Sequence, residues 1–500
     1  MPAEDRFRWH HTIFATNRHD YLAALILTVS QVFDNHQIVS STEYSDPNGP
    51  VRLPRPDELP NLELEVCNYH KPIFGTFHSK YMVVDRQIAI IQSNNIQDND
   101  NVEMMTQWEG PIVDSFYDMA LISWHKAMQP PLPCLNAPES AQSLPSFERK
   151  SYGSLFDEGG NLRPAYTSAM PAPEGIQSLG DLAVKGTQTD MPQHTSEDPH
   201  YDSDLASECL RSVSVLNPRE GESRINAITR LLNTTIQKDT KGSHPELSVE
   251  EGMTPLIPTV RHAPFPCALV NREPWGAPNH ECVWTPQNAA FTSALRHATQ
   301  SVFIQTPNLN AAALLPEILA ACRRGVHVSY YYCLGYNDAG ELLPFQGGHN
   351  ESVAHGLYKE LDPEHSANLD IFAYVAKDQI HPIHNKFKQR SCHIKLLIAD
   401  MHIGVQGNGN QDTQSWYHSQ EGNIMIDSSQ VCAAWMEGIK QNQNTHLYGQ
   451  VQKDGEHMGC WVHPETGEQA EGAIGISAGR FSWMKGVTGA IARVRGAGGF

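Results

Sequence analysis

The chain is short of basic residues, of paired cysteines and of long apolar runs. Lysine and arginine total 36 against 56 aspartates and glutamates, a formal net charge of −20. A sequence-independent nucleic-acid binder needs a basic surface to neutralise phosphates, so this charge disfavours that class while leaving room for a local basic pocket. The ten cysteines contain no C-x-x-C pair, so neither a zinc site nor a disulfide framework is indicated. Cys322, Cys333 and Cys392 lie in apolar runs and are expected as buried thiols in a reducing compartment. The apolar stretch YLAALILTV, from Tyr21, is far too short to span a bilayer. It follows Asp20, a plausible N-cap, and is expected as a buried helix to about Phe33. The mean hydropathy of −0.42 argues against an integral membrane protein. The opening MPAEDRFRWHH has no signal-peptide architecture.

What the chain does have is a duplication. FHSKYMVVDRQIAIIQSNN, from Phe77 to Asn95, is echoed by CHIKLLIADMHIGVQGNGN, from Cys392 to Asn410. His78, Lys80, Asp85 and Asn95 recur as His393, Lys395, Asp400 and Asn410, each displaced by the same 315 residues. Both stretches are apolar and rich in β-branched residues between polar turns, the pattern of buried strands. On a strand, residues i and i+2 share a face, which predicts that each histidine projects beside its lysine. Asp85 and Asp400 fall on the opposite parity and are better placed to close a turn or pair with a neighbouring base than to touch a substrate. The runs QIAIIQ and HIGVQ then read as return strands bringing Asn95 and Asn410 back toward the histidines. Two such sets face to face make a cage of cationic and amide donors suited to one phosphate.

H-x-K-x4-D followed by a Gly-Ser-x-Asn step, twice in one chain, resembles the phospholipase D superfamily. The second copy continues QDTQSWYHSQE, in which Ser415 and Glu421 look like that family's downstream serine and acidic partner; Glu103 holds a similar place after the first copy. Two positions depart from the pattern: Gln92 stands for the glycine of the first copy, and Asn408 for the serine of the second, where the first copy keeps Ser93. The resemblance implies an α/β fold of two lobes related by a pseudo-twofold axis, each a mixed sheet flanked by helices. It also implies phosphodiester chemistry through a phosphohistidine. In that scheme His78 attacks phosphorus and His393 protonates the departing alcohol, then deprotonates the incoming water or alcohol, although the two roles could be exchanged here. Lys80, Lys395, Asn95 and Asn410 would hold the non-bridging oxygens, and Glu103 and Glu421 would each accept a hydrogen bond from a ring. No metal or cofactor is needed.

Five hundred residues suggest about three units. A first lobe is expected over 1–135, short at its amino end, with LELEV, the His78 strand, the return strand and a helix over Pro111–Met128. A linker rich in proline, serine and acidic residues follows over 136–262, its 136–215 part disordered in composition, with Ile225, Ile228, Leu231, Leu232 and Ile236 forming one helical stripe. The second lobe, 263–445, alternates helices and strands: FTSALRHATQ, SVFIQTP, LLPEILAACRRG, VHVSYYYCL, Ser352–Leu361, LDIFAYV, the His393 strand and a closing helix over Gln430–Gln441. An extension over 446–500 carries Arg480, Lys485, Arg493 and Arg495 beside Phe481, Met484, Val487, Ile491 and Val494 at helical spacing. That segment is read either as packed on its own lobe or as a peripheral contact with an anionic membrane. His381 and His384 are expected as solvated loop histidines, and Asn337, Asp338, Glu341 and the GGHN run as loop residues shaping substrate entry.

These features favour a phospholipid substrate, hydrolysed or transferred by an intracellular enzyme, cytoplasmic or peripherally membrane-bound, with the mitochondrion as an alternative. Both motifs in one chain make a monomer sufficient for the site. Two other functions stay open: a nucleic-acid phosphodiesterase of the same superfamily, and a lipid-binding scaffold without activity.

Overall fold

A computed structural model describes residues 11–16, 77–84, 88–95, 101–124, 219–222, 252–254, 256–258, 262–273, 283–342 and 346–476. Asp85, the helix expected near 20–33, the LELEV strand, the 136–215 linker, the 225–236 stripe and the basic 480–495 segment lie outside these residues.

The protein is mixed α/β, with two sheets flanked by helices. The first sheet carries strands β1 (His11–Thr16), β2 (Tyr81–Val84), β3 (Ile88–Gln92), β4 (Asn101–Glu109) and β5 (Leu256–Pro258) in the order β2-β3-β4-β1-β5, followed along the chain by helix α1 (Ile112–Trp124) after β4. The second sheet is built from β6 (Cys267–Arg272), β7 (Ser301–Gln305), β8 (His327–Tyr332), β9 (Leu369–Ala373), β11 (Leu396–Ala399), β12 (Ile403–Gly407) and β13 (Glu421–Asp427), in the order β6-β13-β12-β11-β7-β8-β9. The two-residue β10 (Ser391–Cys392) belongs to the second half of the chain but pairs in parallel with β4 of the first sheet.

Local sequence accounts for the second sheet. Strands β7, β8 and β9 run parallel, and parallel neighbours need crossovers. Helices α2 (Pro286–His297), α3 (Leu315–Arg323), α4 (Asp338–Glu341) and α5 (Asn350–Glu360) occupy this half, with α3 joining β7 to β8 and α4 and α5 lying between β8 and β9. Thr285 starts α2 by accepting from the Asn288 amide, with Pro286 in the first turn, where a missing N–H costs nothing. Ser428 does the same for α7 (Ser429–Gln441) by accepting from the Val431 amide. The short α6 (Thr413–Tyr417) begins at Asp412, and α8 (Thr445–Tyr448) closes the described helices.

Strand β11 shows how the layers are joined. All four of its residues are buried, because both faces of the strand are covered. Leu397 and Ala399 point into a core with Phe291 of α2, Ile318 of α3 and Ala354 of α5. Leu396 and Ile398 point the other way, into a core shared with Trp435 of α7, Phe116 of α1 and Met104 and Trp108 of β4. Each such side chain contributes roughly 1.5–3 kcal/mol of burial. The second core therefore spans both sheets.

Every element expected between Phe291 and Gln441 is present, with ends shifted by a few residues. Five strands carry no expectation from the sequence: β1, β4 and β5 in the first sheet and β6 and β13 in the second. Among the described residues no helix is long and apolar enough to cross a membrane.

Candidate active site

The histidines and lysines of the two copies do not sit within strands, as the i, i+2 argument expects. Residues 78–80 and 393–395 are the links that precede β2 and β11. The reason is that each link leaves its own half to pair with the other. Phe77 bridges in parallel to Gln420, and the His78 amide donates to the Gln420 carbonyl at 3.0 Å. Reciprocally, Ser391 and Cys392 pair with Asn101 and Val102, and the His393 amide donates to the Val102 carbonyl at 2.9 Å. Gln420 and Val102 are the residues immediately before Glu421 and Glu103. The backbone exchange thus sets each histidine beside the glutamate of the opposite copy.

The side chains complete that exchange. His78 Nδ1 lies 2.9 Å from both carboxylate oxygens of Glu421. His393 Nδ1 lies 3.0 Å from both oxygens of Glu103. All four residues are at most 4% exposed. A carboxylate accepts and cannot donate, so each Nδ1 carries a proton, and in a neutral ring Nε2 presents its lone pair. The His393 Nε2 is buried and has no hydrogen-bond partner in the structure. The Tyr336 ring lies against His393, with centroids 5.8 Å apart.

Each carboxylate has a hydroxyl behind it, but the two come from different places. Ser93, at the end of β3, donates to Glu103 at 2.6 Å, and Asn101 adds a longer contact at 3.3 Å. In the second copy position 408 is asparagine, and Ser415 in α6 donates to Glu421 at 2.6 Å instead. The Asn408 amide turns toward the first copy, where it donates to the Lys80 carbonyl at 3.2 Å and also to that of Gln92. The substitution at 408 thus exchanges a carboxylate contact for a strut between the copies. The Gln92 amide donates to the Asn94 carbonyl at 3.2 Å.

Lys80 and Lys395 are both 1% exposed, and each ammonium donates to the carbonyl of its own histidine, the second at 2.7 Å. Burial, with Lys80 nearby, pushes Lys395 down to about 7 against the pull of Glu103 and Glu421. Asn95 and Asn410, also buried, follow the return strands β3 and β12.

The two histidine–glutamate pairs differ in charge. Burial pushes His393 down to about 4, with Lys395 and Lys80 adding to it and Glu103 opposing. Burial would raise Glu103, but His393, Lys395 and Ser93 outweigh it and hold the carboxyl below its ordinary range. That pair is a neutral ring on an anion. Burial pushes Glu421 up to about 7 despite Lys80, Ser415, Lys395 and Arg272, so the carboxyl beside His78 takes up a proton more readily than Glu103 does.

Asp400 is remote from this chemistry. Its carboxylate accepts from the amides of Thr299, Gln300 and Ser301 at 2.8, 2.8 and 2.9 Å and from the Thr299 hydroxyl at 2.9 Å. His384 corrects an expectation: it is 6% exposed rather than solvated, packed over Gly335 and accepting from the Lys386 amide. A close backbone approach at Gly335 leaves space for the ring, which a side chain there would fill. His381 is partly buried. Among the described residues no cluster of histidine, cysteine and acidic groups could hold a metal ion.

Residues 291–442 match the family model described as cardiolipin synthase, PLD-like domain. That part of the chain is a domain of the phospholipase D superfamily. The match lies within the second half and includes His393, Lys395, Asn410, Ser415 and Glu421. Phosphodiester chemistry is what this superfamily brings. Among solved structures, the phosphatidylserine synthase of Haemophilus influenzae Rd KW20 is similar at 12% identity, with 76% of this chain covered and a TM-score of 0.37. The chain spans 64% of that synthase's length. Nuc of Salmonella typhimurium, a phospholipase D family member, aligns at 12% identity over 37% of this chain and 95% of its own, with a TM-score of 0.26. NucT from Helicobacter pylori aligns at 16% identity over 36% of this chain and 96% of its own, with a TM-score of 0.25. At these scores the alignments carry no argument about this chain. No curated protein matches it.

Residues beyond the motif also reach the site. Arg272 of β6 is buried and donates to the carbonyls of Ser419, at 2.9 Å, and Trp416, so it ties down the segment leading to Glu421. Thr106 donates to the Gln406 side chain at 2.8 Å and links the halves below the histidines. Neither shows a sequence signal, because each acts through a backbone carbonyl or a distant partner.

Proposed function

We propose that the chain cleaves or transfers the phosphodiester of a phospholipid through a phosphohistidine, in the manner of phospholipase D and cardiolipin-synthase-type enzymes. The observation that carries this reading is the crossed pairing of His78 with Glu421 and His393 with Glu103. It fixes both tautomers and packs two imidazoles, two carboxylates and two ammoniums into one buried cluster.

The charge difference favours a division of labour opposite to the one the resemblance implies. A nucleophile must be neutral, and His393 is neutral at all ordinary pH. Its Nε2 attacks phosphorus, forming a P–N bond as the P–O bond to the leaving alcohol breaks. The departing oxygen takes a proton from His78 Nε2, whose imidazolium is stabilised by Glu421. In the second half-reaction neutral His78 takes a proton from water or an acceptor alcohol. That oxygen then bonds to phosphorus and the P–N bond breaks. Lys80, Lys395, Asn95 and Asn410 bind the non-bridging oxygens. An anionic phosphate beside Lys395 restores the charge that burial weakens, so affinity and charge stabilisation come from one contact.

Net charge favours lipid over nucleic acid as the substrate. The test is incubation with labelled phosphatidylglycerol or phosphatidylcholine, with and without an alcohol acceptor, followed by acid-free trapping of protein-bound phosphate. Lipid product and a trapped adduct, both absent in His393→Ala, support the reading. In His78→Ala the adduct should form slowly and only with good leaving groups. An inert wild-type protein, or cleavage of single-stranded DNA with lipid left intact, refutes it.

A further inference from the structure

The second copy has a polar brace that the histidine, lysine and asparagine roles do not use. Asp412 is 4% exposed, and three donors converge on its carboxylate. The Asn410 amide donates to Oδ2 at 3.1 Å, the Asn308 amide to the same oxygen at 3.0 Å, and the Ser415 backbone N–H to Oδ1 at 2.7 Å. Behind it, Glu341, also buried, accepts from the amides of Asn308 at 2.9 Å, Asn337 at 2.8 Å and Asn310. Asn310 in turn accepts from the Thr413 N–H at 2.8 Å, so Asp412 is held from both sides.

Two arms leave this brace toward the reacting groups. One is direct: an amide whose nitrogen faces a carboxylate is locked in one flip, because the reversed amide would set oxygen against oxygen. Asn410 therefore keeps its nitrogen toward Asp412, and its Oδ1 is buried without a partner. The other arm runs through the capped turn. Asp412 holds the Ser415 amide, the Ser415 hydroxyl donates to Glu421 at 2.6 Å, and Glu421 accepts from His78. The Asn410 N–H returns to the Ser415 oxygen at 3.2 Å and closes the loop.

We propose that Asp412 is a positioning residue that sets the Asn410 amide and the His78–Glu421 pair as one unit, with Asn308 and Glu341 as its support. In the first copy the corresponding hydroxyl, Ser93, reaches Glu103 from the strand end itself. Asp412 therefore governs the proton-carrying side of the site and leaves the His393–Glu103 side alone.

The kinetic part of the test rests on the phosphoryl-transfer reading. Asp412→Asn keeps the shape but turns an N–H toward donors. It should lower kcat by roughly 10- to 100-fold with little change in KM, and move the alkaline limb of the pH profile. The effect should be large for an alkyl leaving group and small for an acidic phenol. In the cycle with Ser415→Ala the double variant should be no worse than the poorer single one, as expected of one chain of contacts. Additive losses, or Asp412→Asn within about twofold of wild type with an unmoved alkaline limb, overturn the proposal. If Asp412→Asn does not fold, Asn308→Ala carries the test with a smaller effect of the same leaving-group dependence. If wild type turns over no phosphodiester, the functional reading fails, and calorimetric binding of inorganic phosphate decides this inference separately. Weaker binding in Asp412→Asn than in wild type supports it, and equal binding or none in wild type overturns it.

Discussion

The pairing of His78 with a glutamate of raised proton affinity has a kinetic consequence that can be worked through. For a lipid, the leaving group is an alkyl alcohol whose oxide is a poor leaving group, so bond cleavage requires the proton on His78. His393 must be neutral, a condition met above about 4. His78 must carry the proton that the leaving oxygen takes, and it loses that proton as pH rises. The expected kcat/KM profile is a bell with an acid limb near about 4, set by His393, and an alkaline limb set by His78, each falling about tenfold per pH unit. Replacing Glu421 by glutamine removes the anion that favours the imidazolium and leaves Lys80 and Lys395, which oppose it. The alkaline limb should then move to lower pH by a unit or more, so that kcat/KM at neutral pH drops at least about tenfold. The assay is kcat/KM from pH 4 to 9 on two diesters, one losing an alkyl alcohol and one losing an acidic phenol that leaves without protonation. With the phenol the alkaline limb should vanish in both proteins, and Glu421→Gln should cost little. An alkaline limb identical for the two leaving groups, or unmoved by Glu421→Gln on the alkyl substrate, would refute the assignment of His78 as the acid.

Three further outcomes follow from the geometry. Asp400→Ala removes four accepted hydrogen bonds at the turn before β7 and leaves alanine at a φ of 51°; it should lower stability by about 2 kcal/mol in chemical denaturation with kcat/KM unchanged. Asn408→Ala strips a donor from the Lys80 and Gln92 carbonyls. It should cost about 1–3 kcal/mol of stability and raise KM more than it lowers kcat, because the lysine that binds phosphate loses its backing. Gly407→Ala would put a Cβ 2.5 Å from the Gly422 carbonyl and 2.6 Å from the Asn423 Cα. Backbone cannot yield there, so β12 must part from β13, with loss of both thermal stability and turnover.

The second half of the fold is legible in the sequence because its strands are buried on both faces or alternate cleanly, and its helices carry caps at Thr285 and Ser428. Strands β4 and β13 escape the same reasoning because the polar residues that the site needs interrupt them. Glu103 and Thr106 in NVEMMTQWE, and Glu421 and Asn423 in EGNIMID, break the apolar pattern of a buried strand, because partners from outside these strands hold them. The His–Lys spacing suggests side chains sharing a strand face. The links instead cross between sheets, and a pairing between residues some 300 positions apart leaves no local pattern. Asp412 gives no signal for a related reason, since an aspartate before a short helix reads as an ordinary cap. The burial of His384 has no local signature because it depends on Gly335, which is far away in sequence.

The exchanged glutamates make each half of the chain an incomplete instrument. Expressed on two separate polypeptides cut within the 136–215 stretch, either piece would hold a histidine whose acceptor resides on its counterpart. Turnover in such a mixture should therefore rise with the product of the two concentrations, and a lesion at Glu103 in one piece should be cured only by supplying that piece intact. The covalent tether spares the protein this second-order search, and it keeps an altered glutamate in either repeat from sparing the imidazole of its twin.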